Sequence, residues 1–316
     1  MAHRNRLAAA SFILAASLPG MAQAGDDTSS AATARPAVRI CLNEDLPPFS
    51  VRHGRTGFDV ALADAIGRKL DRPVTLRWFE SQLDGDKSPS LEANALLSDG
   101  ICDLVGNFPL NEDTLAPPQI STSRLPDFDG AKPTDRRRRV ALGKLIASEP
   151  VRYAALSIVL GPGAPHKAIH SLGDLAGLKL GAETGTFGDI VLMQFGDGRL
   201  VNDITHVVPE RGGLMEKLES GAFDAALLDL GRFDAYRQKH PEKKLILSGF
   251  NYRTGFNMGF VALSSETALV ADLDRALDNL RSGGDIEALA HASGVTYLAP
   301  HEPRIGPHIM MKDLLD

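Results

Sequence analysis

Four consecutive arginines occupy residues 136–139, within the stretch TDRRRR. A guanidinium group presents a planar fork of donors, and this fork matches a carboxylate through two parallel hydrogen bonds. One arginine of the run could therefore hold a small anion. Alternatively, the run forms a patch for a large acidic partner, or its side chains simply face water. The three interpretations place different demands on the surrounding fold.

The loop ETGTFGD, residues 183–189, is a second candidate for binding chemistry. Gly185 allows another group to approach the backbone closely, and Thr186 offers a hydroxyl. The helix predicted to follow would turn its N-terminal amides and partial positive charge toward the same place. The alternative is an ordinary strand-to-helix turn in which Thr186 caps the helix, and the two roles can coexist.

Other patterns argue against metal and cofactor chemistry. The sequence has nine histidines, but two clusters of them match no known ligand pattern, and a metal site needs three or four convergent ligands. The clusters are His166 with His170, and His301 with Glu302 and His308. There is also no GxSxG, HExxH or Walker motif. We therefore expect neither a metal ion nor a cofactor.

Predicted strands and helices alternate along the chain and carry the candidate residues at their ends. Strand-like VRICLN is followed by GFDVALADAIGRKL, whose apolar residues recur at helical spacing, and this order continues along the chain. LLSDGICDLV and KLESGAFDAAL share one pattern of helix, glycine and strand. The sequence therefore predicts an α/β fold of two similar lobes, each a mainly parallel sheet flanked by helices.

The beginning of the sequence indicates export. A short basic start, an apolar run and the small-residue motif AQA predict a signal peptide over residues 1–24, with cleavage after Ala24; an uncleaved anchor is the alternative. Residues 25–36 are small and polar, and are expected to form a flexible leader. Cleavage would leave 32 basic and 40 acidic residues, a net charge of −8. That balance argues against nucleic-acid binding, which depends on neutralising phosphates.

The order of the motifs resembles the type 2 periplasmic solute-binding proteins, in particular those that bind amino acids for ABC transporters. The motifs are PPFS, GFDVALADAIGRKL, GICDLV, TDRRRR, SEP, SLGDLAGLKLGAETGT, GAFDAALLD and GFNMGFVALSSE, spread over residues 37–298. The MoxJ-like subgroup linked to methanol oxidation is also similar. The resemblance implies a ligand trapped between two lobes, with crossing segments near residues 151–157 and 248–255. Lobe 1 would comprise residues 37–155 and 252–316, and lobe 2 residues 156–251.

The resemblance also implies roles for individual residues. Arg137 matches the arginine of the family's T-x-x-R motif, which holds the ligand carboxylate. Gly185 and Thr186 match the loop that meets the same carboxylate. Asp229 stands where amino-acid binders hold the ammonium group, although a helix cap is an equal alternative.

The stretch LNEDLPPF supplies further candidates from the first lobe, namely Glu44, Asp45 and Phe49. Phe49 would pack against the ligand, or else belong to the core. The family's short motif strand normally leads directly into T-x-x-R, but here residues 108–133 intervene with five prolines. Such an insertion could displace Arg137 or cover the cleft as a lid.

The two cysteines, Cys41 and Cys102, form an even pair in an exported chain. They predict a disulfide within the first lobe, with two buried free thiols as the alternative.

The sequence therefore predicts a monomeric periplasmic protein that binds a small anionic or zwitterionic solute. Its partner would be an ABC-transporter permease or a periplasmic dehydrogenase. One alternative is an enzyme similar to cyclohexadienyl dehydratases, with Glu44, Asp45 or Glu80 as proton donor. Another is an accessory protein that docks on a dehydrogenase and binds no small molecule.

Overall fold

A computed structural model describes residues 36–81, 88–208, 213–242 and 244–308. The predicted signal peptide and nearly all of the leader lie outside these ranges. The strands are β1 Val38–Asn43, β2 Asp45–Leu46, β3 Ser50–Val51, β4 Val74–Glu80, β5 Leu104–Pro109, β6 Thr122–Arg124, β7 Asp127–Phe128, β8 Arg139–Ala141, β9 Leu145–Ala147, β10 Arg152–Leu160, β11 Leu180–Glu183, β12 Ile204–Val207, β13 Ala225–Asp229 and β14 Ile246–Leu263. The α-helices are α1 Phe58–Leu70, α2 Pro89–Ser98, α3 Glu112–Leu115, α4 Phe187–Gln194, α5 Leu214–Glu219, α6 Leu230–Lys239, α7 Thr267–Ser282 and α8 Asp285–Ala292.

The main sheet has two halves joined by two long strands. Its order is β12-β11-β13-β10-β14-β5-β1-β4-β7, with β9 also paired to β14. Strands β4, β1 and β5 run parallel in one half, and β12, β11 and β13 run parallel in the other. The joining strands β10 and β14 are antiparallel to each other and to β13 and β5. We call the half with β1, β4 and β5 the first lobe and the half with β11–β13 the second lobe.

Each lobe has its own apolar core on both faces of its half of the sheet. In the first lobe, α1, α7 and α8 cover one face with residues such as Phe58, Ile66 and Leu273. The other face carries the α2 side chains and both cysteines. The second lobe is covered in the same way by α4 on one side and by α5 and α6 on the other. This arrangement confirms the predicted α/β class.

Local signals in the sequence explain where individual helices begin. The predicted apolar stripe of α1 is buried from Phe58 to Leu70. Helix α2 begins at Pro89, a residue type suited to a first turn because it lacks an N–H. Its cap is Ser88, whose hydroxyl accepts from the Leu91 backbone N–H at 3.3 Å.

Cys41 and Cys102 form the predicted disulfide, with 5.7 Å between their Cα atoms. Cys41 lies in β1, and Cys102 immediately precedes β5, which pairs with β1. The bond therefore ties neighbouring strands of the first lobe. Both side chains are buried.

The proline-rich segment 108–133 has regular structure of its own. Asn111 and Thr114 form a reciprocal capping box at α3. Strand β6 pairs with β8 in a separate ribbon, and β7 adds to the far edge of the main sheet beside β4. Strand β7 thus extends the β4 edge of the main sheet, whereas the β6–β8 ribbon packs on α2.

The chain after α8 returns across the joining strands. The Tyr153 backbone N–H donates to the Leu298 carbonyl at 2.9 Å, and Asn257 donates to the carbonyls of His301, Pro303 and Arg304. The tail then reaches α3, where the Glu112 N–H donates to the Gly306 carbonyl at 2.9 Å. Among the described residues, no helix is long and apolar enough to span a bilayer.

Candidate functional site

A cavity of about 200 Å³ lies between the joining strands and the second lobe. Residues 154–156 of β10 and 254–256 of β14 form one wall. The polar side chains of the opposite wall stand where strands of the second lobe end, which is where α/β sheets place their ligands. They belong to Glu183, Thr186, Asp229 and Arg232.

Apolar side chains complete the cavity. Phe187 at the start of α4 and Phe256 of β14 stand with their ring centroids 6.3 Å apart. Leu214, Leu227 and Leu228 line the space as well. The cavity therefore combines a few polar groups with a mainly apolar surface, which is the usual make-up of a small-molecule site.

Asp229 ends β13 and caps α6. Its Oδ1 accepts from the Arg232 backbone N–H at 3.2 Å, so the helix-cap role is real. The same side chain lines the cavity. Burial raises the pKa of the Asp229 carboxyl, while the nearby Arg152 guanidinium acts in the opposite direction. A cation placed beside Asp229 would therefore stabilise its ionised form.

Arg232 lies one turn further along α6 and forms an ion pair with Glu183. Arg232 Nη2 stands 3.1 Å from Glu183 Oε1, and Nη1 donates to the other carboxylate oxygen. Glu183 is buried at the end of β11, whereas the Arg232 side chain is about half exposed. Burial lowers the pKa of Arg232. Because a guanidinium has five N–H donors, this pairing leaves donors for another anion.

Backbone N–H groups of the loop at residues 183–189 already donate to acceptors within the loop. Gly185 adopts a φ of 77°, a left-handed conformation that favours glycine, and its N–H donates to Asp189 Oδ2 at 2.9 Å. Thr186 caps α4 by accepting from the Asp189 N–H at 3.3 Å. The Thr186 N–H and hydroxyl both donate to the Glu183 carbonyl. Thr186 does line the cavity, but Gly185 is not part of its lining, and the loop offers an anion fewer free amides than the sequence suggested.

A buried arginine, which the sequence motifs did not single out, sits where the two lobes meet. Arg152 begins β10, and its Nη2 donates to Asn107 Oδ1 at 2.6 Å. Its guanidinium carbon lies 3.8 Å from the centre of the Phe49 ring. Burial lowers the pKa of Arg152, while the carboxylates of Asp59, Asp229 and Asp234 act against that effect.

Phe49 bridges the two lobes. Phe49 is buried in the first-lobe core, as the alternative interpretation of this residue predicted. Its ring also reaches the second lobe, since a Cβ atom added at Gly231 would lie only 2.6 Å from Phe49 Cε2. Phe49, Arg152 and the start of α6 therefore form one contact between the lobes, next to the cavity.

The structure does not bring the remaining predicted residues to this cavity. Arg137 ends a short 3-10 helix on the outer side of the first lobe, and its side chain is exposed. The physical reason is the 108–133 segment, which leads into the arginine run at the C-terminal end of α2, where Arg138 pairs with Asp99. Glu44 pairs with Arg52 at 3.0 Å on an exposed hairpin, and Asp45 is exposed on the same hairpin.

The residues that sequence reasoning missed are Arg152, Glu183 and Arg232. The signal for Arg152 was a lone charge that opens the otherwise apolar strand RYAALSIVL. Glu183 and Arg232 had a weaker signal. Each is a charged residue at the junction of a predicted strand and helix, where caps are also common.

A second cavity of about 490 Å³ lies on the tail side of β14. The stacked rings of Tyr153 and His301, whose centres are 4.0 Å apart, line it. Its walls come from the joining strands, α3 and the tail. No group of three or more histidine, cysteine or acidic side chains suited to a metal occurs within the described ranges.

No protein-family model matches the chain, and no curated protein matches its sequence. Solved structures do match. The L-cystine solute receptor of Neisseria gonorrhoeae, unliganded and open, is 19% identical with a TM-score of 0.57, covering 84% of this chain and 96% of the receptor. The second substrate-binding domain of a putative amino-acid ABC transporter from Streptococcus pneumoniae is 17% identical with a TM-score of 0.57, covering 83% and 100%.

An ancestral cationic amino-acid solute-binding protein is also similar. It is 18% identical with a TM-score of 0.55, covering 81% of this chain and 94% of that protein. Likeness at this level of identity concerns the fold alone, and none of these matches bears on the MoxJ-like subgroup. This chain therefore has the two-lobe fold seen in periplasmic amino-acid-binding proteins.

Proposed function

We propose that this protein is an exported solute receptor that holds a small amino-acid-like zwitterion in the cavity beside β10 and β14. The observation that carries the proposal is that Asp229 and Arg232, a carboxylate and a guanidinium at the start of α6, line the same cavity. A zwitterion carries the two complementary charges on one small molecule. Members of the same fold bind amino acids, which supports this choice of solute class.

In this proposal Asp229 receives the ligand's ammonium group. The carboxyl is buried and its pKa is raised, so it lacks a full counter-charge in the free protein. An ammonium group at hydrogen-bond distance would hold it ionised and contribute a charge-assisted bond. Such bonds contribute roughly 1.5–3 kcal/mol.

Arg232 receives the ligand's carboxylate. Glu183 already fixes the orientation of the guanidinium, so less side-chain entropy is lost when the ligand binds. The hydroxyl of Thr186 lies on the same wall and adds a polar contact. In this assignment Arg232 of the second lobe, rather than Arg137 of the first lobe, binds the ligand carboxylate.

The rest of the cavity selects a small, partly apolar solute. Its volume of about 200 Å³ is below the roughly 300–1,000 Å³ of sites for drug-sized ligands. Phe187, Leu214 and Phe256 would contact the apolar part of the ligand. A single amino acid with an aliphatic side chain fits this description better than a peptide or a sugar chain.

Phe49 and Arg152 supply the first-lobe side of the proposed site. Their contact with the start of α6 lies next to Asp229. We propose that the two lobes move about β10 and β14 as the ligand enters, in the manner of a hinge. Lobe 1 would comprise residues 37–155 and 252–316, and lobe 2 residues 156–251.

The buried disulfide supports an oxidising compartment, because such bonds persist in exported proteins. We propose a periplasmic location after removal of residues 1–24, a monomeric state, and an ABC-type permease as the partner that accepts the solute.

The direct test is calorimetric titration of ligand-stripped protein with the common amino acids, after a thermal-shift screen has identified those that raise the melting temperature. Asp229→Asn and Arg232→Gln should each weaken binding at least tenfold, about 1.4 kcal/mol. Arg137→Ala is the matched control, since that arginine is exposed and should leave affinity unchanged.

Two outcomes would refute the proposal. Equal losses in Arg137→Ala and Arg232→Gln would show that the cavity is not where the solute binds. Turnover of prephenate by the wild-type protein would instead assign it to the dehydratase alternative, whose candidate acids Glu44 and Asp45 lie on the exposed hairpin.

A further inference from the structure

A small two-stranded ribbon stands on the outer side of the first lobe. Strands β6 and β8 pair only with each other, in antiparallel register. Their inward residues, Ser123 and Val140, are buried toward α2. Because side chains alternate along a strand, Arg124 and Arg139 point outward, and both are exposed.

These two arginines are direct cross-strand partners. Side chains at such positions have Cβ atoms roughly 4.5–5.5 Å apart, and like charges placed there destabilise the pair. Within the described part of the chain, neither guanidinium forms an ion pair with a carboxylate; Arg139 has only long hydrogen bonds to Thr122, at 3.4 and 3.5 Å. Arg138, by contrast, forms a bidentate pair with Asp99.

The ribbon therefore presents concentrated positive charge on a chain whose formal net charge is −6. The exposed Arg137 adds to this charge from the 3-10 helix just before β8. An acidic surface that approached the ribbon would relieve the repulsion between Arg124 and Arg139. Two nearby acids of the described structure are already paired elsewhere, Asp99 with Arg138 and Asp113 with His308.

A groove of about 670 Å³ runs beside the ribbon, between α2 and residues 113–120. Arg139 forms part of its lining, together with Leu91, Pro117 and Pro118. Ile120 stands at the same groove with 45% of its surface exposed, which makes it one of the most exposed large apolar side chains in the described structure. The groove thus places an apolar surface next to unpaired positive charge.

We propose that the ribbon and this groove form a docking surface for an acidic, partly apolar segment of a partner protein. The carboxylates of the segment would pair with Arg124 and Arg139, and its apolar side chains would pack against Ile120 and the prolines. A protein segment fits better than a membrane or an inorganic anion, because neither of those would use an apolar groove at the side of a lobe. The inference does not depend on solute binding, which concerns the cavity beside β10 and β14.

The test uses a fluorescein-labelled peptide of interspersed leucine and glutamate, and measures its binding to the whole protein by fluorescence anisotropy. We expect saturable binding that weakens at least tenfold in Arg124→Glu/Arg139→Glu. Replacing the leucines of the peptide by serine should also weaken binding at least tenfold. Asp229→Asn, which addresses the solute cavity, should have no effect on the peptide.

Matched controls make the result decisive. Arg68→Glu/Arg199→Glu reverses two exposed arginines elsewhere and should leave peptide binding unchanged, while unchanged circular dichroism shows that both double variants are folded. The proposal is overturned if the control pair weakens binding as much as the ribbon pair, or if the serine peptide binds as tightly as the leucine peptide. It is also overturned if vesicles containing phosphatidylglycerol bind the ribbon more tightly than the leucine peptide does.

Discussion

Replacing Asp59 by asparagine should change how the stability of this protein depends on pH. Asp59 lies in the first turn of α1 with only 4% of its surface exposed. Its Oδ2 atom is buried and has no hydrogen-bond partner among the described residues, although the Asp59 backbone N–H donates to the Phe49 carbonyl at 2.8 Å. Burial raises the pKa of the carboxyl from 3.8 to about 6, and the Arg152 guanidinium only partly offsets the effect.

The size and sign of the effect follow from linkage between protonation and folding. The folded protein binds this proton more tightly than the unfolded chain does. The resulting stabilisation is therefore complete below the unfolded pKa of 3.8 and is lost as the pH rises through about 6. A rise of this size in the pKa corresponds to about 3 kcal/mol.

Asparagine has nearly the same shape but does not titrate. The free energy of unfolding of Asp59→Asn should therefore rise relative to that of wild type, by up to about 3 kcal/mol between pH 4 and pH 8, because only wild type loses stability over this range. Burial also raises the pKa values of Asp229 and Asp234. Both residues are present in both proteins, so most of their contribution cancels in the comparison.

Urea unfolding followed by circular dichroism, at several values across this pH range, measures the difference directly. Asp45→Asn is the control, because that carboxylate is exposed on the first-lobe hairpin. A difference between wild type and Asp59→Asn that stays constant with pH would show that Asp59 is not the buried, titrating acid. A change in the opposite direction would show that Arg152 holds Asp59 ionised, and would refute the reasoning.

Three further predictions concern the disulfide, the lobe contact and the tail. Denatured, unreduced protein should show no free thiol in a thiol titration. Replacing Cys41 and Cys102 by serine should lower the free energy of unfolding by about 4 kcal/mol, which is the chain-entropy value for their separation of 61 residues. Gly231→Ala should force the Phe49 ring away and lower stability by roughly 1–3 kcal/mol, with a larger radius of gyration in small-angle scattering; an unchanged radius would mean that the ring does not hold the lobes together. Asn257→Ala removes three donations to tail carbonyls and should make residues 298–308 the first site of limited proteolysis, whereas equal cleavage of wild type and variant would show that the tail is held elsewhere.

Much of the first lobe follows from local sequence patterns. The buried positions of α1 repeat at helical spacing, and four of the six residues of the strand at residues 38–43 are apolar, as expected for a strand covered on both faces. The disulfide was predictable for a related reason, because its cysteines fall in or next to strands expected to be neighbours. These features could be predicted because the spacing of apolar residues within each segment already indicates which side chains are buried.

The site was less predictable because its polar groups come from distant parts of the chain. Asp229 and Thr186 were identified at strand-to-helix junctions, and both line the cavity. Arg232 was not identified, because a charged residue in the first turn of a helix normally faces water. In the structure, its ion pair with Glu183 holds it in the wall of the cavity.

Composition and periodicity are enough to predict the class of fold, the apolar faces of the helices and strands, and the presence of arginines that could bind an anion. Which of these arginines is buried, and beside which groups, depends on the packing of the folded chain. Arg137 and Arg152 are only fifteen positions apart, yet Arg137 is exposed on the 3-10 helix before β8 and Arg152 is buried among Phe49, Asn107 and acids from both lobes. The physical reason is that burial, and with it desolvation and charge pairing, depends on which remote segments pack against a residue, and residue type and local spacing carry little information about that.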